Sequence, residues 1–363
     1  MSLTEKFKYI SPRENAGSMA SNRFDFQKNW AICKLIELTN SGVDFLLAFE
    51  YHEDIIVLDS VNNPTKIDFY QIKTKDKGTY SLSNILTKKK LKKGDGGSIL
   101  GKLYQNKLNF DSETKSLNIV SNNRFSIKSI KENRLVICCK ELDDKEKLEI
   151  EENLKAELSI QWLHEFLDVI FLHNSELTIE HHNEITKDKL NKLIESLYHT
   201  DVKYNPSLAY RTIFDEVNRR NNIERKINNF EELIHFKSIS KDDFDRMLKI
   251  VVSEPDKLKL AKNRLFDRLD NAGVSIPLRR KLSEAWKDVQ IEYLSLNNDF
   301  FNQCVNSINK VIDNNIDELY GAVWENLDKL YVLLLQQKEI QNQKIYTEYF
   351  LKMVILKELY NEE

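Results

Sequence analysis

Glycine and proline are scarce, 9 and 5 in 363 residues, and unevenly placed. Most of the glycines lie at or before Gly101, whereas beyond Pro206 only Gly273, Gly321, Pro255 and Pro277 remain. Such punctuation predicts a loop-rich α/β front half and a helical back half. Cys33, Cys138, Cys139 and Cys304 form no spaced framework, which excludes a disulfide-stapled scaffold and fits a reducing compartment. No segment offers the roughly 18 uninterrupted apolar residues of a membrane span, and the opening MSLTEKFKYISPREN has no apolar signal-type core. A soluble, cytoplasmic protein is the expectation. Nor does one charge sign dominate: 54 Lys and Arg face 57 Asp and Glu, a net −3, so local distribution matters more than the sum.

What is present is patterned. The length exceeds one ordinary core, and we place a front α/β domain at 1–204 and an all-α domain at 205–363. Phe26, Trp30, Cys33 and Leu35 or Ile36 recur at helical spacing, predicting an amphipathic helix over 24–40 that Gly42 ends. Strands are expected at Phe45–Glu50, Asp54–Leu58, Ile67–Thr74, Ser116–Val120, Arg134–Leu142 and Leu177–Glu180. Helices are expected at Ser98–Leu108, Lys145–Leu172 and Thr186–Leu197, with Thr186 as cap. From Asn205 onward the pattern is helical almost throughout, with stripes such as Leu319, Val323, Leu327, Leu330 and Leu334, and Ser240 with Asp243 resembles a capping box.

The chemistry concentrates in LAFEYHEDIIVLDS and KIDFYQIKTK. Strand alternation puts Gln71 and Lys73 on one face while Tyr70 and Ile72 anchor the other. If the strand beginning at Asp54 pairs with this one, a carboxylate, an amide and an ammonium converge. Phosphodiester hydrolysis calls for such a set. Asp54, with Glu50 or Glu53, offers anionic oxygens to Mg²⁺ (or Mn²⁺ in its place), Gln71 a neutral one, and Lys73 orients water or balances phosphate charge. The bland alternative is an exposed Gln-x-Lys strand face beside a solvated acidic turn. His52, inside that turn, either contacts phosphate or caps it.

Four segments in order, NRFDFQKNWAICKLIEL, FEYHEDIIVLD, FYQIKTK and SILGKLYQNKLNF, resemble the double-stranded DNA endonuclease domain of CD-NTase-associated antiphage effectors. That domain belongs to the PD-(D/E)xK nuclease superfamily, and the likeness covers about the first 200 residues. It implies a mixed sheet flanked by helices, followed here by an all-α domain. It also implies Asp54 as the metal-binding aspartate, with Gln71 and Lys73 as the second half of the signature. Gln27 matches a position where some relatives carry an acid, and Glu50 matches an upstream acidic position. Amides at Gln27 and Gln71 leave fewer anionic ligands, which implies one metal ion rather than two.

Lys88, Lys89, Lys90, Lys92 and Lys93, with Lys102 on the next helix, form a positive run suited to sequence-independent phosphate contacts. GGSILGK fails as a Walker A loop because Leu103 stands where Ser or Thr would hold Mg²⁺, so its glycines read as loop flexibility. Glu180, His181 and His182 read as a surface turn. With no base-reading module in view, cleavage of double-stranded DNA with little sequence specificity is the expected activity, in antiphage defence. The helical half is similar to that of nuclease subunits encoded beside HerA-type hexameric ATPases, which implies a homo-oligomer with such a partner. A cyclic-oligonucleotide-activated effector and a catalytically decayed scaffold are the alternatives.

Overall fold

The computed structural model describes residues 16–88, 90–91, 94–161, 166–198, 204–295, 298–337, 340 and 346–360. The chain divides into two compact units: Met1–Leu193 with Val217–Phe244, and Ile194–Glu216 with Asp245–Glu363.

The first unit is built on a seven-stranded mixed sheet of order β7-β8-β6-β3-β2-β1-β9. These strands are β1 (Leu46–Tyr51), β2 (Glu53–Leu58), β3 (Ile67–Lys73), β6 (Thr114–Ser121), β7 (Val136–Cys138), β8 (Ile170–Asn174) and β9 (Ser238–Ser240); β4 (Lys90–Leu91) and β5 (Gly94–Asp95) pair separately. The three-strand meander β1-β2-β3 is antiparallel, and β6 and β8 then add in parallel. Along one face α1 (Ala16–Ser41) buries Phe26, Ile32 and Leu35, and its Trp30 ring lies 5.1 Å from that of Tyr70. Gly42, at φ +72°, ends this helix in a left-handed turn open to glycine. The opposite face packs Ile56, Phe69, Leu117, Ile119 and Leu172 with Leu100, Leu103 and Tyr104 of α3 (Ile99–Phe110) and Ile150 and Leu154 of α4 (Asp144–Leu158). A short helix, α2 (Leu82–Leu86), adds Leu82, Ile85 and Leu86 to that core.

Helix α3 starts at Ser98, whose hydroxyl accepts from Gly101 N at 2.8 Å and whose own N–H donates to Glu157 Oε1 at 2.7 Å. A β-carbon at Gly101 would overlap the Glu157 carboxylate. This glycine is therefore a close-packing position, whereas the sequence suggested loop flexibility.

Several elements differ from expectation. The helix read over Lys145–Leu172 ends at Leu158, and α5 (Phe166–Val169) leads directly into strand β8. The strand therefore lies at Ile170–Asn174, and the expected Leu177–Glu180 is turn and coil. Arg134–Leu142 is strand only at Val136–Cys138. Thr186 is no cap: it is buried within α6 (His182–Tyr198), its hydroxyl 3.5 Å from Cys33 Sγ.

After α7 (Pro206–Asn221) the chain makes a single π turn, Leu233–Lys237, and then adds β9 antiparallel to β1, a strand within the stretch read as helical. Ser240 and Asp243 do form the capping box at the head of α8 (Lys241–Asn271), with reciprocal bonds of 3.0 and 3.2 Å. The second unit is helical in its described residues, adding α9 (Ile276–Leu294), α10 (Asp299–Asn315), α11 (Val323–Leu334) and α12 (Glu348–Leu359). Its core includes Trp286, Leu327, Leu330 and Leu334, so the stripe read from sequence faces inward. Lys352 is 4% exposed, yet pairs with Asp328 and Glu348 at 2.6 Å each and lies over the Trp324 and Tyr331 rings. Among the described residues no helix is long and apolar enough to cross a membrane.

Candidate active site

Strand register builds the site. Phe49 pairs with Ile55 and Tyr51 with Glu53, which sets Glu50 opposite Asp54; Ile55 pairs with Tyr70, which sets Asp54 opposite Gln71. Glu50, Asp54 and Gln71 thus form one row across three adjacent strands, and Lys73 follows on the face of Gln71. The β2–β3 ladder ends beside this row. There Asp54 Oδ2 accepts from Ile72 N at 2.6 Å, from Gln71 Nε2, and from Gln27 Nε2 of α1 at 3.4 Å.

These residues open into a cleft of about 420 Å³ lined by Glu50, His52, Glu53, Asp54 and Gln71 on one side and Lys102, Gln105 and Asn106 of α3 on the other. Glu53, which the sequence left as an alternative ligand, is held by Asn106 Nδ2 at 2.7 Å. Sequence reasoning missed Asn106, which shares the lining with Lys102 one helical turn away. Lys102 is exposed at the cleft, while Lys88 is exposed and lines none of it. Lys90 lies in β4; Lys89, Lys92 and Lys93 fall outside the described residues.

Carboxylates crowded into a partly dry hollow hold protons more tightly. Burial, then the charge of Asp54, raises Glu53 to about 7 against the pull of Asn106, Lys73 and Lys102. Burial raises Asp54 against Lys73, the Ile72 amide and Gln71. Glu50 is raised by burial and by Asp54, with Lys237 and Lys73 opposing. Burial lowers the His52 imidazole, favouring its neutral form.

Among the described residues no three His, Cys, Asp or Glu side chains gather as a ready-made metal cluster. The donor set is instead one carboxylate flanked by amides. Gln27 Oε1 is buried without a hydrogen-bond partner, and a half-turn of either amide group exchanges its nitrogen for an oxygen. An acidic hollow with an orphaned amide oxygen suits a single hard cation.

The Glu180–His182 stretch is not a surface turn throughout. His181 is exposed, but His182 is 2% exposed at the start of α6, with Nδ1 against Asn29 Nδ2 at 3.0 Å and Nε2 against Asn22 Oδ1 at 2.9 Å. These two contacts join α6 to α1.

A family model described as the Cap4 dsDNA endonuclease domain matches residues 15–221, more than half of the chain. The chain is also similar to the Lamassu protein LmuA of Bacillus cereus (strain VD014), 28% identical over 247 residues. That alignment covers 65% of this chain and 64% of the relative, so the chain spans a little under two thirds of that protein's length.

Proposed function

The chain belongs to the Cap4 double-stranded DNA endonuclease domain family, and from that premise we propose that it is a metal-dependent endonuclease acting in antiphage defence. The reading is carried by Glu50, Asp54 and Gln71, which come from three adjacent strands and open into one cleft, with Lys73 on the strand face of Gln71 and its charge felt by Asp54. Asp54 and the amide oxygens of Gln71 and Gln27, with Glu50 across the row, would hold a Mg²⁺ or Mn²⁺ ion, which would supply Lewis acidity for phosphodiester hydrolysis. Lys73 places an ammonium where a non-bridging phosphate oxygen gains charge. Lys102, on the facing helix, meets the DNA backbone, and the run Lys88–Lys93 extends that contact. Phosphate contacts of this kind carry no base information, which supports low sequence specificity.

The helical unit leaves Ile276, Tyr320, Ile316 and Val332 more than half exposed. We read it as the part through which the chain assembles into a homo-oligomer and meets a HerA-type ATPase. Light scattering of the purified chain, alone and with such an ATPase, tests that part.

Cleavage is tested by incubating supercoiled plasmid with Mg²⁺ or Mn²⁺ and wild type, Asp54→Ala or Lys73→Ala. Loss of cutting in both variants is expected. Equal cutting by all three refutes the site.

A further inference from the structure

Lys237 lies 187 residues beyond Glu50 in the sequence, yet its ammonium donates to the Glu50 carbonyl at 3.2 Å. The lysine is 7% exposed, an unusual place for an ammonium. Its surroundings fix it. On one side β9 pairs with β1, matching Ala48 with Ser238 and Leu46 with Ser240. On the other, Arg220, 2% exposed, donates to the carbonyls of Ile234, His235 and Ser238, and Ser238 Oγ bonds the Leu233 carbonyl at 2.8 Å. A π turn held this firmly presents Lys237 at one point.

That point is the site's irregular residue. Glu50 has φ +47°, a left-handed backbone that a residue with a β-carbon adopts at a cost. It stands opposite Asp54 in the strand register. The Glu50 carboxylate feels Lys237 and Lys73 as its two positive neighbours and Asp54 as its negative one.

We propose that Lys237 is a positioning residue for cleavage: it supports the left-handed backbone of Glu50 and thereby aligns Glu50 with Asp54 and Gln71. The inference rests on reading the cleft as the cleavage site. Its consequence is that the segment between α7 and α8, not the catalytic strands alone, sets the geometry of the row.

The test uses the full chain with Lys237→Met, which keeps the apolar stem and removes the charge, and Lys237→Arg. Hydrogen–deuterium exchange is expected to rise over residues 46–58 in Lys237→Met while residues 99–110 stay as in wild type, and to return toward wild type in Lys237→Arg. On plasmid, kcat is expected to fall about 10- to 100-fold, the effect of a misplacement of roughly 1 Å, with KM little changed. Because Lys237 acts through Glu50, adding it to Glu50→Gln should cost little more than Glu50→Gln alone. Unchanged exchange over 46–58, or multiplicative losses in the double variant, overturns the proposal. Should Lys237→Met not fold, Lys237→Ala also removes the donor and carries the same two measurements. Asp54→Asn separates the premises. If it cuts like wild type, the cleavage reading fails and exchange alone decides on Lys237. If it is inactive while Lys237→Met cuts normally, only the Lys237 proposal fails.

Discussion

Replacing Gly101 by alanine isolates how α3 is held over the cleft. In an ordinary helix this change stabilises by up to about 1 kcal/mol. Here the new methyl meets the carboxylate of Glu157, which must swing away and release the Ser98 N–H. A hydrogen bond to a charged group contributes roughly 1.5–3 kcal/mol, so the expected net is a destabilisation of about 1 kcal/mol. For a unit of this size that is a fall of roughly 2–4 °C in the first unit's thermal transition. The diagnostic outcome is a change of sign: in a Glu157→Ala background the obstacle is gone, and Gly101→Ala should then stabilise. Circular dichroism melts of the four proteins complete the cycle. If Gly101→Ala raises Tm in both backgrounds, Glu157 does not abut this glycine and the account of the helix start is wrong.

His173, whose Nε2 lies 2.7 Å from Asn118 Oδ1, is lowered to about 4, first by burial and then by Lys34. Its neutral form is favoured in the fold, so stability is full above the unfolded value near 6.5 and is lost as pH falls through 4, up to about 3 kcal/mol. Urea titrations from pH 7 to 4 should show this slope, flattened in His173→Gln. In the helical unit, Lys352→Met removes a cation held by two carboxylates and two aromatic rings, and should destabilise that unit by about 2–3 kcal/mol, read as a lower second melting transition. Gln71→Glu places another anion beside Asp54, so metal-free protein should melt lower, and the gain in Tm on adding Mg²⁺ should exceed that of wild type. An equal gain in both argues against an ion at Gln71.

The meander and its row were legible because period-two alternation fixes which side chains share a face. Asp54, Gln71 and Lys73 needed only that β2 and β3 pair, and the Gln71 amide does reach the Asp54 carboxylate. Gln27 was legible only through family likeness, because nothing local says that a residue of α1 reaches the end of the sheet. Strand β8 was hidden: IFLHN continues an apolar pattern that a helix accommodates equally well, and its pairing with β6 is a long-range matter. His182 was misjudged for a related reason, since its partners Asn22 and Asn29 sit on the first helix. Lys237 carried no local signal, because its contact with Glu50 spans 187 residues of sequence.

Strand β9 has a practical consequence for anyone dividing this protein. The family match stops at residue 221, before Ser238–Ser240, so a fragment cut to that limit leaves β1 with an uncovered row of amides and carbonyls along its outer edge. Bare edges recruit other strands. Such a truncated catalytic piece should self-associate or precipitate, and its inactivity would then say nothing about the chemistry of the cleft.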